Sequence, residues 1–418
     1  ALYVSAENAQ FDNLFGGPMV VEVIVKDPNR SMTNENAGEP TVMVDNQQLR
    51  MAQGLDGNWY GYFADKTNVA DVANDGSQLE FGTADDPDVG GILGHASLAT
   101  FDDTTYRSQL ALGGTAGANA ADFAGVIDNA PELSNWNGTN ASSCTSCGQI
   151  GINSTNWPFL QTYDFTQEDF DVILEQAGTN EVVTLDHNNA DLDDYASLTL
   201  DRSSATQGAE VMLFIVDQQL NIDPTDEDVV IFKVANDGVA STSSVSWTNG
   251  TINGDLVDGD NTSAYVAAGT GHGFSDNGKL LINNDTASSG TNTLEKIATA
   301  DDTVTATTSG FTYLVFFEDA DNTGTFSNVD DSDQANLQVT ADAKRGTTAT
   351  FDYNDSAQSF IVANDFGTID MDESSVGAEW NSGETLVVTL VDQDLNKNTL
   401  NDEDMVLTNS YNSTIPSL

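Results

Sequence analysis

The chain has 418 residues, of which 66 are acidic and only 12 are Lys or Arg, for a formal net charge of -54. A surface of that sign repels nucleic acid and anionic lipid, which excludes both as main partners, and it attracts cations. Hydrophobic residues make up 39% and aromatics 8%, enough to build the cores of two to four domains and to exclude a disordered polyanion.

Such a charge also repels itself, and the self-repulsion weakens a fold unless salt or bound metal screens it. Brine, seawater or a calcium-containing exterior is the expected setting. The opening residues, ALYVSAENAQ, run directly into strand-like sequence, as expected of a mature N-terminus after cleavage of a leader. VVEVIV and then DGNWYGYFAD, Asp56 to Asp65, read as strands, the second entered through an Asp-Gly turn. GGTAGANAADFAG, Gly113 to Gly125, reads as a long loop insertion.

The two cysteines, Cys144 and Cys147, follow in NASSCTSCGQIG. A Cys-x-x-Cys pair fits a redox motif, half of a zinc site or a short disulfide. No βαβ context and no second cysteine pair are visible in the sequence, so a local disulfide in an oxidising compartment is the preferred expectation. FTQEDFDVILEQAG, Phe165 to Gly178, is the best helix candidate, with Thr166 and Asp169 in a capping-box-like arrangement. VMLFIV, YLVFF and LVVTLV are short apolar runs bounded by turn residues, the pattern of strands packed between two sheets. No run of about 20 apolar residues occurs, so nothing here is expected to span a membrane.

The chain repeats itself. Asn180 to Phe232 and Thr347 to Leu407 run in the same order: a strand ending in TLD or TFD, a second ending in LTLD or IDMD, a glycine turn, a strongly apolar strand, VDQ-x-LN, then DED. LYVSAENAQFDNLFGGPMVVEVIVKDPN is a weaker third copy. The expected architecture is all-β, with tandem immunoglobulin-like β-sandwich domains carrying long insertions over residues 1–180, 181–346 and 347–418. The third unit stops soon after it begins, in MVLTNSYNSTIPSL, so the natural protein is expected to continue.

Cation sites are the leading chemical expectation. DADNTGTFSNVD, Asp319 to Asp330, matches the spacing of an EF-hand-type calcium loop: Asp319, Asp321, Thr323, the Thr325 carbonyl, Ser327 and Asp330 as oxygen donors, with Gly324 at the sharp turn. An Asp in the last position shortens the reach of the usual Glu, which weakens calcium or favours magnesium; an acidic β-turn is the plain alternative. The VDQ-x-LN…DED loops offer Asp217, Asn221, Asp223, Asp226, Glu227 and Asp228 in one copy, and Asp392, Asp394, Asn396, Asn398, Asp402, Glu403 and Asp404 in the other. Clustered carboxylates are costly unless a cation or water screens them, although a solvated acidic hairpin reads the same way.

Catalysis is not expected. The three histidines are His95, His187 and His272, and His187 aligns with Tyr353 as a framework position. No HExxH, GxSxG, Walker or GxGxxG pattern is present. Sequons occur at Asn137, Asn140, Asn153, Asn249, Asn261, Asn284, Asn354 and Asn412; roughly seven would arise by chance in this composition, so their number proves nothing about glycosylation.

The opening ALYVSAENAQFDNLFGGPMVVEVIVKDPNRS, the DGNWYGYFAD strand and the VDQ-x-LN repeats resemble the S-layer proteins of ammonia-oxidising marine archaea. The resemblance implies a secreted glycoprotein of tandem immunoglobulin-like domains that self-assembles into a hexagonal two-dimensional lattice around the cell. It transfers no catalytic residue and no fixed metal site. Pores lined by this charge would enrich cations, ammonium among them, over anions. Two rival readings are a carbohydrate-binding adhesin, hinted at by Trp136 and Trp157 around the cysteine loop, and a secreted salt-adapted enzyme built around a carboxylate of raised pKa.

Overall fold

The protein is described by a computed structural model covering residues 1–65 (except 18 and 36), 68, 127, 129–134, 149, 157, 158, 160–163, 165, 169–235, 252–256, 279–284, 293–297, 299 and 311–403 (except 378). It is built almost wholly of strands. In the N-terminal part these are β1 (Leu2–Val4), β2 (Leu14–Phe15), β3 (Val21–Val25), β4 (Val42–Val44), β5 (Gln47–Leu49), β6 (Ala52–Gln53), β7 (Trp59–Asp65), β8 (Leu160–Tyr163), β9 (Asp169–Leu174) and β10 (Glu181–His187). One sheet runs β1-β3-β7-β6, with β8 alongside β7; the other runs β2-β10-β9-β4-β5. Their facing side chains share one core: Val21, Val23, Trp59 and Phe63 from the first sheet meet Phe15, Val42, Val172 and Leu185 from the second. Period-two burial explains the arrangement. In β3, Val21, Val23 and Val25 are fully buried while Glu22 and Ile24 face the other way.

Gly61, in the middle of β7, has a packing role. A Cβ there would sit 2.7 Å from the Met51 sulfur and 2.9 Å from the Arg50 carbonyl oxygen, so only glycine lets the neighbouring chain lie this close.

The second part contains β11 (Ser197–Leu200), β12 (Ser204–Ala205), β13 (Leu213–Val216), β14 (Val229–Ala235), β15 (Ile252–Leu256), β16 (Lys279–Asn284), β17 (Leu294–Lys296), β18 (Phe311–Glu318), β19 (Thr325–Ser327), β20 (Leu337–Val339), β21 (Thr348–Tyr353) and β22 (Gln358–Val362). Ten of them form one sheet, β11-β13-β19-β18-β14-β15-β16-β21-β22-β12, while β17 pairs with β20. The first and last strands of that order are neighbours in sequence, so the sheet curls back on itself around a core that includes Leu213, Phe232, Leu280, Phe316 and Phe351. Beyond it lies a two-stranded hairpin, β23 (Thr368–Met371) with β24 (Val388–Val391).

Two expectations are corrected here. Phe165–Gly178 is no helix: Asp169–Leu174 is strand β9, paired with both β10 and β4. Phe170, Val172 and Leu174 point inward and Asp169 and Asp171 outward, a period of two that fits a half-buried strand better than a helix face. The unit boundaries also fall later than residues 180 and 346. β10 belongs to the N-terminal sandwich, and β21 and β22 belong to the ten-stranded sheet. The repeat is real but its phase is shifted: the TLD and TFD strands close one unit, and the LTLD and IDMD strands open the next.

With the phase corrected, three units begin alike. β1 pairs with β3, β11 with β13 and β23 with β24, all antiparallel, and Ser197 faces Val216 as Thr368 faces Val391. A short helix, α1 (Asn189–Asp193), links the first unit to the second. Among the described residues no helix is long and apolar enough to cross a membrane.

Candidate functional site

The two VDQ-x-LN segments, and Asp27–Arg30 in the first unit, open on the same capped turn. An aspartate in extended conformation caps a single 3₁₀ turn: Asp217 before Gln218–Leu220, Asp392 before Gln393–Leu395, and Asp27 before Pro28–Arg30. Each cap accepts the backbone N–H two residues on, at 2.8 Å from Gln219, 3.0 Å from Asp394 and 2.9 Å from Asn29. This is ordinary N-cap chemistry, and it engages one oxygen of each carboxylate. The second oxygen of Asp217 accepts the Tyr353 hydroxyl at 2.5 Å.

After the turn the chain leaves through Asn221 or Asn396 in nearly identical backbone geometry, φ -81, ψ 95 and φ -75, ψ 99. A later carboxylate then holds two successive N–H groups. Asp228 accepts from Ile222 at 2.5 Å and Asp223 at 3.1 Å. Glu403 accepts from Lys397 at 2.5 Å and Asn398 at 2.6 Å. The structural partner of Asp228 is therefore Glu403, not Asp404, which lies outside the described residues. Asp223 and Asn398 make matching turns, accepting from Thr225 N at 2.9 Å and Leu400 N at 2.8 Å. Asp226 accepts from the N–H of Glu227, and Asp402 is exposed.

These loops are the joints between units. Val20 N donates to Ile222 O across the first joint at 3.0 Å, and Glu210 N donates to Lys397 O across the second at 2.7 Å. Gln219 reinforces the first by donating to the Asn189 carbonyl, and Asn322 by donating to that of Ser5. Arg202 reinforces the second. Its guanidinium donates to the carbonyls of Asn396, Lys397 and Glu210, each at 2.8 Å.

DADNTGTFSNVD does not wrap around a centre. It is the β18–β19 hairpin and the turn that follows. Asp319 and Asp321 are exposed, Thr325 and Ser327 pair with β13, and the Thr325 carbonyl accepts the Asp319 N–H at 2.9 Å. Asp330 caps the next turn, accepting from Ser332 and Gln334. Of the six expected donors, Asp319, Asp321 and Thr323 lie in the turn between β18 and β19, Thr325 and Ser327 lie in β19, and Asp330 caps the turn after it.

The residue that organises the hairpin is Glu318, one position before the expected loop. One of its oxygens accepts from Thr323 N at 2.6 Å, Gly324 N at 2.7 Å and the Thr323 hydroxyl at 3.2 Å; the other accepts from Asp228 N at 3.0 Å. Glu318 thus holds the turn that opens the Asp319–Asp330 segment. Gly324 adopts φ +63, and a Cβ there would collide with the Gln218 side chain.

Asp217, Asp223, Asp228 and Glu318 are all buried at this joint. Burial pushes the Asp228 carboxyl well above its usual range, with the neighbouring Glu318 and Asp223 charges adding to the rise. Burial raises Glu318 to about 7 despite the four hydrogen bonds it accepts. Among the described residues, no group of three or more His, Cys, Asp or Glu side chains is arranged to hold a metal ion. The structure brings together Asp217, Asn221, Asp223 and Asp228, and it sets Asp319 and Asp321 near Asp226 and Glu227, the Glu227 pKa being raised by burial and by those neighbouring charges, whereas Asp330, Asp392 and Asp394 lie elsewhere.

Sequence reasoning missed Glu318 and Arg202. Each had a signal: Glu318 is the one acid ending the apolar strand YLVFF, and Arg202 is one of twelve basic residues, placed directly after LTLD. His187 is half-buried at the end of β10, packed on Phe15 and Phe165, and burial lowers its pKa. Trp157 is already engaged, donating to Pro131 O at 2.8 Å and packing on Tyr62. Asn354 is a poor glycan acceptor, because its amide nitrogen donates to the carbonyls of Asp193 and Ala196. Asn284 ends β16. Cys144, Cys147, Trp136, His95, His272 and the sequons at Asn137, Asn140, Asn153, Asn249, Asn261 and Asn412 lie outside the described residues.

Compared with known proteins, the chain matches no family model and no curated sequence.

Proposed function

We propose that the chain is a structural component of an extracellular, porous protein wall whose acidic faces concentrate cations, as its resemblance to archaeal S-layer proteins implies. The observation that carries this reading is the combination of a net charge of -54 with β-sandwich units strung together by a repeating hydrogen-bonded joint. A series of such units makes a semi-rigid acidic strut. Struts of this kind, laid as immunoglobulin-like domains in a hexagonal lattice, would frame openings that hold a negative potential, enriching ammonium and other small cations and depleting anions. Calcium, or magnesium in its place, would bridge exposed carboxylates within and between copies. The exposed Asp319, Asp321 and Asp402 suit that role better than the buried acids do.

The enzyme reading has its raised-pKa carboxylates in Asp228 and Glu318, but both spend their oxygens on backbone N–H groups of the joint. The adhesin reading is weakened by Trp157, which is partly buried and packs against Tyr62. Negative-stain microscopy with calcium is expected to show sheets or hexamers that EDTA loosens, and an isolated layer should pass a cation faster than a matched anion at low salt. Monomers under all conditions, or equal passage, would defeat the proposal.

A further inference from the structure

The connection from β7 to β8 comes back to the first joint before it ends. Residues 132–134 lie antiparallel to the chain at the end of β6: Ser134 N donates to Gln53 O at 2.9 Å, Leu55 N donates to Glu132 O at 2.8 Å, and Gly54 bridges Leu133. Pro131 is held as well. Its carbonyl accepts Trp157 Nε1 at 2.8 Å, and the Trp157 ring packs on Tyr62. This end of the segment is therefore fixed to the first unit.

The other end crosses to the second unit. Asn129 N donates to Thr225 Oγ1 at 3.1 Å. Ile127 is buried in the core that Val20, Tyr62 and Leu160 of the first unit share with Leu198, Leu220 and Ile222 of the second. Thr225 belongs to the docking loop. Its hydroxyl donates to Asp223 Oδ1 at 2.6 Å, and Asp223 follows Ile222, whose carbonyl accepts Val20 N across the joint. The segment thus grips the loop just past the joint's own bond. The second joint cannot be gripped in this way. At the same distance after its capping aspartate stands Leu400 in place of Thr225, and leucine has no hydroxyl to accept an N–H. Arg202 secures that joint instead.

We propose that residues 127 and 129–134 are a strap, which closes over the first joint and holds the first two units at a fixed angle. The shared apolar core opposes separation of the units, but hydrophobic contact has no direction of its own. The hydrogen bonds of the strap do have direction, and they tie both units to one short segment. With the strap released, the joint keeps its core and gains freedom to rotate. This goes beyond the wall proposal, because it concerns a single chain and holds whether or not copies assemble.

The test follows hydrogen exchange at the Val20 amide in the full chain, with the Glu210 amide of the second joint and the β9–β10 amides as internal references. Thr225→Val removes the acceptor on the second unit, and Ile127→Ala removes the apolar anchor on the strap. Each should speed exchange at Val20 by about ten-fold and leave the references at their wild-type rates. Thr225→Ser keeps a hydroxyl and should keep the wild-type rate at Val20. Unchanged exchange at Val20 in both Thr225→Val and Ile127→Ala would overturn the inference. So would equal acceleration at the references, which marks general destabilisation, or loss of protection in Thr225→Ser. Val20 responding as expected in a chain that never assembles would count against the wall and not against the strap.

Discussion

Glu318 accepts the backbone N–H of Asp228 at 3.0 Å, and both carboxylates are buried where the second unit meets the first. Each also holds a turn: Asp228 the chain after Asn221, Glu318 the bend at Gly324. The pair is therefore indispensable for geometry and unfavourable for charge. Burial of an ionised carboxyl is costly even when hydrogen bonds offset part of it.

The first prediction concerns pH. Both groups titrate higher in the folded protein than in the unfolded chain, Glu318 at about 7. The folded state thus binds more protons, and their charges destabilise it above that pH. As pH falls from 8 through 7 toward 5.5, the penalty is relieved and the melting temperature should rise, by an amount corresponding to about 1–3 kcal/mol. Asp228→Asn keeps an oxygen for the Ile222 and Asp223 N–H groups and should flatten the profile. A melting temperature that falls over this range would reject the assignment.

The second concerns Arg202. Arg202→Ala removes three charge-assisted bonds and should free the β23–β24 hairpin, at a cost of about 2 kcal/mol in local opening. Hydrogen exchange over residues 368–400 should then accelerate by about thirty-fold, with β1–β10 unchanged. Arg202→Lys should recover little, because an ammonium cannot reproduce the fork to several carbonyls.

The third separates hairpin from metal loop. Gly324→Ala forces a left-handed backbone on alanine and drives a methyl into Gln218, so a loss of about 2–4 kcal/mol is expected. Asp321→Asn alters an exposed turn residue and should stay within about 0.5 kcal/mol. If Asp321→Asn instead abolishes calcium-dependent stabilisation, the loop holds a metal after all.

The fourth concerns salt. With 66 acidic and 12 basic side chains, raising sodium chloride from 10 mM to 1 M shortens the screening length from about 30 Å to about 3 Å. Thermal melts should shift upward across that range, and the gain from added calcium should shrink at the high-salt end.

Much of the fold was legible in the residues. β3, β7, β13 and β24 sit on the apolar runs, and the VDQ-x-LN segments are equivalent in space as in sequence. Asp169–Leu174 misled because Thr166 and Asp169 imitate a capping box, while pairing with β10 next along the chain and with β4, which is remote in sequence, decides the outcome. The phase of the repeat was hidden for a similar reason. Sequence shows that units recur, but only strand pairing tells whether TLD closes one unit or opens another. At the candidate site the acids were visible and their partners were not. Asp228 and Glu318 come from segments ninety residues apart, and spacing along one loop carries no trace of such a meeting.

The bond that sets the pitch of the joints runs between main-chain atoms. Val stands at one donor position and Glu at the other, Ile at one acceptor position and Lys at the other. Each module is consequently free to drift in composition, acquiring acids or lengthening its loops, while its neighbours remain in step. A gene grown by tandem duplication could diversify the face of every module this way and still encode a linear array with constant spacing.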